Sequence, residues 1–127
     1  MASLFVYGTL LPGEVRWHHL ERFVAGDGHA DSVGGRLFDT GRGYPAARFG
    51  DDGAIVGHVY PLQLDRLAAA LAHLDEVEGA VAGLYVRTSV MTHRGVEAFA
   101  YAYGEGLELT PIASGSWLEH RRGMPGG

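Results

Sequence analysis

The first residue that could take part in catalysis is an acidic residue that continues the apolar face of a predicted helix. Four leucines recur at spacings of three and four residues, which places them on one face of a helix: Leu64, Leu67, Leu71 and Leu74. Four residues further on, the same face reaches Glu78. Burial among apolar groups favours the neutral form of a carboxyl, so Glu78 is a candidate general acid and base. The pattern alone favours a plainer interpretation, in which the helix frays at Val77 and Glu78 faces water.

The acidic cluster around Glu78 is a second anomaly. Asp75, Glu76 and Glu78 crowd the C-terminal end of the predicted helix, where the helix dipole disfavours each negative charge by roughly 0.3–1 kcal/mol. Local stability gives no reason for this placement, which is typical of a functional site. Of the rival acids, we expect Asp75 to cap or pair locally and Glu76 to point away from the leucine face. Arg87 could hold a substrate carboxylate, but a structural ion pair with the acidic helix end is favoured.

A glycine-containing loop follows the first apolar run of the chain. It reads Tyr7-Gly8-Thr9-Leu10-Leu11-Pro12-Gly13. Gly8 allows the backbone to approach a ligand, and a loop that leaves a strand can offer free N–H groups to a carboxylate or an oxyanion. The loop lacks the further glycines and the Lys-Ser/Thr pair of a phosphate-binding loop. By itself, such a segment is commonly just a turn.

The elements that must position these residues are short strands around one strong helix. Periodicity predicts that helix over residues 63–78 and a weaker one over residues 14–23. Apolar and β-branched runs predict strands at residues 4–7, 46–49, 55–62, 84–92 and 96–103, with more between residues 26 and 39. His93-Arg94-Gly95 joins the last two as a hairpin. The sequence therefore predicts an α+β fold with about six strands in a mixed, barrel-like sheet.

Composition limits the classes of function. A chain of 127 residues fits one compact domain, here residues 1–119 with a flexible tail over residues 120–127. The absence of cysteine excludes disulfides and thiolate zinc sites, and a net charge of −5 argues against nucleic-acid binding. The first residues lack the pattern of a signal peptide or membrane helix, so we expect a cytoplasmic protein. The ten basic residues are all arginine, which suggests a GC-rich bacterial genome.

Three segments, in order along the chain, resemble the γ-glutamylcyclotransferase-like superfamily. The stretch Phe5-Val6-Tyr7-Gly8-Thr9-Leu10-Leu11-Pro12-Gly13 is similar to its N-terminal glycine-containing signature. The second signature of the family resembles Asp75-Glu76-Val77-Glu78-Gly79 followed by Tyr85-Val86-Arg87. Its closing motif resembles Gly115-Ser116-Trp117. The Tyr-Gly-Thr-Leu form resembles the branch of γ-glutamylamine cyclotransferases and plant avirulence-induced-like proteins more than the Tyr-Gly-Ser-Asn-Leu form does.

The resemblance implies a small mixed β-barrel flanked by helices and the release of 5-oxoproline from a γ-glutamyl amine or amide. It implies no cofactor and no metal. Glu78 would be the general acid and base, and the backbone of Gly8, Thr9 and Leu10 would hold substrate oxygens. Tyr7 would close the pocket, and Tyr85 could donate a hydrogen bond. The partner is then a small γ-glutamyl molecule, and we expect a monomer without nucleic-acid or membrane partners.

Two other functions stay open on the sequence. The fold could be a non-catalytic binding module for a small molecule or a protein. It could also remove a γ-glutamyl protecting group from a larger acceptor in a biosynthetic pathway. The sequence does not identify the released amine or the role of the loop over residues 41–48. Trp117 is expected to be a core anchor rather than a substrate platform.

Overall fold

A computed structural model describes residues 2–79, 85–104 and 108–122 of the chain. Within these ranges the protein forms eight strands and three α-helices. The strands are β1 (Ser3–Val6), β2 (His29–Val33), β3 (Gly35–Asp39), β4 (Pro45–Phe49), β5 (Ile55–Pro61), β6 (Tyr85–Met91), β7 (Glu97–Tyr103) and β8 (Thr110–Ile112). The helices are α1 (Trp17–Glu21), α2 (Leu67–Glu78) and α3 (Trp117–Arg122). The chain is therefore of the predicted α+β class.

The larger sheet has five strands in the order β2-β5-β1-β7-β6. Its central strand, β1, pairs antiparallel with β5, from Ser3 opposite Pro61 to Val6 opposite His58. On its other side β1 runs parallel to β7. The predicted hairpin is confirmed, since β6 and β7 pair antiparallel over their full lengths. The central position of β1 means that the loop after it emerges in the middle of the fold.

The alternation of side chains along β1 divides the core into two layers. Leu4 and Val6 face α1 and α2, where they pack in a cluster with Leu20 and Leu74. Phe5 faces the opposite way, into a second cluster that includes residues of the smaller sheet. That sheet has three strands in the order β4-β3-β8. The five-stranded sheet is therefore covered by helices on one face and by the smaller sheet on the other.

Two details of the sheet differ from the sequence prediction. The described strands form two sheets rather than one closed barrel. The chain also has more strands than the expected six, partly because a short strand, β8, pairs with β3. Pro111 at the centre of β8 lacks an N–H donor. Because proline is uncommon in strands, the sequence pattern did not predict a strand here. Proline is tolerated there because β8 lies at the edge of its sheet.

The long helix begins later than the leucine row suggested. Residues Leu64–Arg66 form a 3₁₀ turn, and α2 proper starts at Leu67. Because a 3₁₀ turn has three residues per turn, the phase of the α-helix does not extend back to Leu64, and that side chain is 63% exposed. The expectation that Leu64 shares the buried face was therefore wrong. Leu74 is fully buried, and Leu71 packs against the same core cluster.

The C-terminal helix is anchored by Trp117, which is buried in the second core cluster, as predicted. The helix α3 continues to Arg122, so residues 120–122 of the predicted tail are helical. Residues 123–127 of that tail and Leu84 of the predicted strand lie outside the described residues. No helix in the described ranges has the length and apolar character needed to span a membrane.

Candidate active site

A single pocket brings together all six residues that the sequence selected. It lies where the loop after β1, the start of β4 and the end of α2 meet, and it contains about 350 Å³ of free space including its mouth. Its lining residues are Phe5, Val6, Tyr7, Gly8, Thr9, Leu10, Arg16, Tyr44, Pro45, Glu78, Tyr85 and Tyr101.

Glu78 is the last residue of α2 and the one carboxylate among the lining residues. The helix does not fray at Val77. It ends at Gly79, which adopts a left-handed conformation with φ of 75°. Among the described residues, the Glu78 side chain has no hydrogen-bond or ion-pair partner. Burial raises its pKa to about 7, although the positive charge of Arg16 acts in the opposite direction. Near neutral pH such a carboxyl can both accept and return a proton.

The loop after β1 folds back on itself and leaves its first N–H groups free. Leu11 N–H donates to the Gly8 carbonyl at 3.0 Å, and Arg16 N–H donates to the Thr9 carbonyl at 2.9 Å. The backbone N–H groups of Gly8, Thr9 and Leu10 have no acceptor within the described part of the chain. All three residues line the pocket, so their N–H groups are candidates to bind an oxyanion.

Gly8 is needed because Pro45 packs directly against it. A Cβ atom at residue 8 would lie 2.6 Å from Cγ of Pro45, well inside van der Waals contact. The glycine therefore allows the start of β4 to approach the loop after β1. This contact closes one wall of the pocket.

Hydrogen bonds from two tyrosine hydroxyls link the walls of the pocket. Tyr85 donates a hydrogen bond to the Pro45 carbonyl at 2.6 Å, and Tyr7 donates to the Tyr101 carbonyl. Burial raises the pKa of both tyrosines, so their hydroxyls stay neutral. Their rings line the cavity. A substrate would gain a hydrogen bond from Tyr85 only by competing with Pro45.

The other acidic residues of α2 are arranged as predicted. Asp75 forms an ion pair with Arg87 at 3.2 Å and accepts a hydrogen bond from the Tyr101 hydroxyl at 2.7 Å. Arg87 is thus engaged with the helix end and does not line the pocket. Glu76 is exposed. Both the local pairing of Asp75 and the structural ion pair of Arg87 are confirmed.

Comparison with known proteins agrees with this architecture. The profile of the family described as "Gamma-glutamyl cyclotransferase, AIG2-like" matches residues 4–119. The chain belongs to this family. The resemblance inferred from the three motifs is confirmed, and the protein has a cyclotransferase-type fold. No curated protein sequence matches the chain.

The solved structures similar to this AIG2-like protein include a chain that it covers almost completely and a longer chain that it covers in part. The uncharacterized protein PH0828 from Pyrococcus horikoshii is 25% identical, with 97% of this chain and 98% of that chain covered and a TM-score of 0.70. YkqA from Bacillus subtilis is 29% identical with a TM-score of 0.70, with 94% of this chain but only 40% of that chain covered. An AIG2-like protein from Mus musculus, 22% identical with 80% and 76% covered and a TM-score of 0.54, shares the fold.

Three lining residues with a charged or polar group in the side chain escaped the sequence analysis of this AIG2-like protein: Arg16, Tyr44 and Tyr101. Arg16 fell inside the helix predicted over residues 14–23, but α1 starts only at Trp17, which leaves Arg16 beside the loop. Tyr44 lies in the segment whose position the sequence could not fix. Tyr101 fits the alternation of a buried strand, and nothing in the pattern marks it as a pocket residue.

Proposed function

We propose that this AIG2-like protein is a γ-glutamylcyclotransferase that releases 5-oxoproline from a γ-glutamyl amine or amide. The observation that carries the proposal is the pairing of Glu78 with the free N–H groups of Gly8, Thr9 and Leu10 across one small pocket. A proton acceptor with a pKa near neutrality and a row of backbone donors are the two groups that intramolecular acyl transfer requires.

In the first half of the reaction, the ionised Glu78 takes a proton from the substrate's α-ammonium group. The α-nitrogen then attacks the γ-carbonyl carbon and forms a new C–N bond. Because nucleophile and electrophile belong to one molecule, holding the chain in a folded conformation supplies much of the acceleration. The walls formed by Tyr7 and Tyr85 would restrict the substrate to that conformation.

In the second half, negative charge develops on the carbonyl oxygen, where the N–H groups of Gly8, Thr9 and Leu10 would stabilise it. The C–N bond to the departing amine then breaks as the protonated Glu78 gives its proton to that amine, which leaves two protons on the new ring nitrogen. The regenerated carboxylate takes one of these and passes it to the released amine. Over the whole reaction two protons move from the α-nitrogen to the departing amine. The chemistry is redox-neutral.

The test is 5-oxoproline release from a panel of γ-glutamyl amines and dipeptides, including γ-glutamyl-ε-lysine. Glu78→Gln keeps the size of the side chain but removes the proton acceptor, so we expect release to fall by at least roughly 100-fold. Glu76→Gln is the matched control, since this neighbouring carboxylate is exposed, and its activity should stay at the wild-type level. Circular dichroism would check that both variants are folded.

Two outcomes would favour other functions. Turnover retained by folded Glu78→Gln would refute the assigned role of this residue. Absence of turnover by the wild type, combined with thermal stabilisation by the same compounds, would favour a binding module. Turnover confined to γ-glutamyl groups on large acceptors would instead favour removal of a protecting group.

A further inference from the structure

Arg16 is a cation in the pocket that has no carboxylate partner among the described residues. It is the one basic residue among the lining residues. Arg87 and Arg121 pair with Asp75 and Glu14, but within the described residues Arg16 has no ion pair. Guanidinium groups bind carboxylates with two parallel hydrogen bonds. A guanidinium left unpaired beside a small cavity is therefore suited to a substrate carboxylate.

The position of Arg16 is defined by contacts at both ends of the residue. Its backbone N–H donates to the Thr9 carbonyl at 2.9 Å. Its guanidinium carbon lies 5.6 Å from the centroid of the Tyr44 ring, which also lines the pocket. The cation is thus held between the loop after β1 and the segment before β4, rather than extended into solvent.

Arg16 and Glu78 give the pocket one positive and one negative group. Their charges interact, because Arg16 opposes the rise in the pKa of Glu78, yet the two side chains do not form an ion pair within 4.0 Å. The α-carbon of a γ-glutamyl compound carries an ammonium and a carboxylate. An ammonium near Glu78 would bring its carboxylate towards Arg16.

We propose that Arg16 binds the α-carboxylate of the γ-glutamyl group and so selects substrates that retain the amino-acid head group. This rests on the function proposed above and defines the substrate class of the same site. Every γ-glutamyl compound has an α-carboxylate, whereas its amine part need not be charged. If Arg16 bound a carboxylate on the amine part instead, the α-carboxylate would share the pocket with Glu78 without a cationic side chain, and it would lose the α-ammonium charge when Glu78 takes that proton, which electrostatics disfavours.

The kinetic test uses two substrates that differ by one group: γ-glutamylmethylamide and 4-aminobutyrylmethylamide, which lacks the α-carboxylate. Arg16→Gln should lower kcat/KM for the first by roughly 10- to 100-fold and leave the second nearly unchanged. Arg16→Lys should recover part of the loss, since it keeps the charge but not the planar pair of donors. Arg42→Gln is the matched control, because Arg42 is exposed and does not line the pocket.

Two kinetic results would overturn the proposal. An equal loss for both substrates would mean that Arg16 supports the loop or Glu78 rather than the carboxylate. A loss seen with γ-glutamylglycine but not with γ-glutamylmethylamide would mean that Arg16 recognises the departing amine.

A binding measurement separates this proposal from the proposed reaction. Calorimetric titration with 5-oxoproline and with 2-pyrrolidinone, its analogue without the carboxylate, requires no turnover. Wild-type protein should bind 5-oxoproline more tightly, and Arg16→Gln should lose that preference. If the wild type binds this way but releases no 5-oxoproline from any substrate, the result supports carboxylate binding by Arg16 and refutes the proposed reaction. Equal binding of 5-oxoproline by wild type and Arg16→Gln would overturn the role of Arg16.

Discussion

The Tyr101 hydroxyl donates a hydrogen bond to Asp75 at 2.7 Å and thereby attaches the last turn of α2 to β7. Asp75 lies three residues before Glu78 and also pairs with Arg87 on β6. Asp75 and Glu78 therefore have different environments. Asp75 is held by two partners on the sheet, while Glu78 is left free to face the pocket. We infer that Asp75 positions the helix end on which Glu78 is carried.

The first prediction concerns this anchor. Asp75→Asn removes the charge that pairs with Arg87 but keeps the size of the side chain. Because the ion pair is only partly buried, we expect a loss of about 1–2 kcal/mol in the free energy of unfolding. A shift of the helix end should also lower kcat by roughly 3- to 30-fold. Urea unfolding and 5-oxoproline release measure the two effects, with Glu76→Gln as control. Unchanged kcat in a destabilised Asp75→Asn variant would contradict the positioning role.

The second prediction tests the contact that closes the pocket wall. In Gly8→Ala the new methyl group would meet the Pro45 ring at 2.6 Å, and the rigid ring cannot turn aside. We expect a loss of about 1–3 kcal/mol of stability and a strong loss of 5-oxoproline release. Gly26→Ala is the matched control, since its methyl group would lie at an ordinary 3.7 Å from Pro61, away from the pocket. Equal effects of the two substitutions would show that the Gly8 contact is not the cause.

Much of the fold was readable from local pattern. The leucine row and the Gly79 stop predicted a helix that presents Glu78, and alternation predicted the hairpin of β6 and β7. Both rest on interactions between residues near in sequence. Arg16 and Tyr44 were missed because they reach the pocket through contacts between distant segments. The charge of Arg16 indicates a role in the pocket only once the structure shows that contacts with Thr9 and Tyr44 position the residue there.

The third prediction concerns the anchoring of α3 to the loop that carries Arg16. Arg121 pairs with Glu14 at 2.7 Å, and the Glu14 side chain is only 7% exposed. Arg121→Gln leaves that carboxylate without its cation, which should cost about 1–3 kcal/mol in the free energy of unfolding. Arg122→Gln is the matched control, because the one hydrogen bond of its guanidinium among the described residues is to the Leu118 carbonyl of its own helix. Urea unfolding would measure the free energy of unfolding of both variants. Equal values would refute a stabilising role for the ion pair between Arg121 and Glu14.

The last prediction follows from the environment of Glu78. Burial raises its pKa from an ordinary value of 4.5 to about 7, so the folded protein holds this proton more tightly than the unfolded chain does. Below about pH 4 the carboxyl is neutral in both states, and its burial costs little. As the pH rises from about 4.5 to 7, the unfolded chain releases this proton while the folded protein still holds it, so the free energy of unfolding falls. Above pH 7 the folded state carries the desolvated charge and the loss is complete. Partial exposure of the side chain limits this cost to the order of 1–3 kcal/mol.

Glu78→Gln should therefore be more stable than the wild type at pH 8, and the difference should vanish near pH 4. Urea unfolding of both proteins at pH values between 4 and 8 would measure it. Glu76→Gln, which removes an exposed carboxylate of the same turn, should show no comparable change with pH. A Glu78→Gln variant less stable than the wild type at pH 8 would mean that the folded protein stabilises this negative charge. Gain of stability together with loss of turnover would instead indicate that the protein maintains a strained carboxylate for its chemistry.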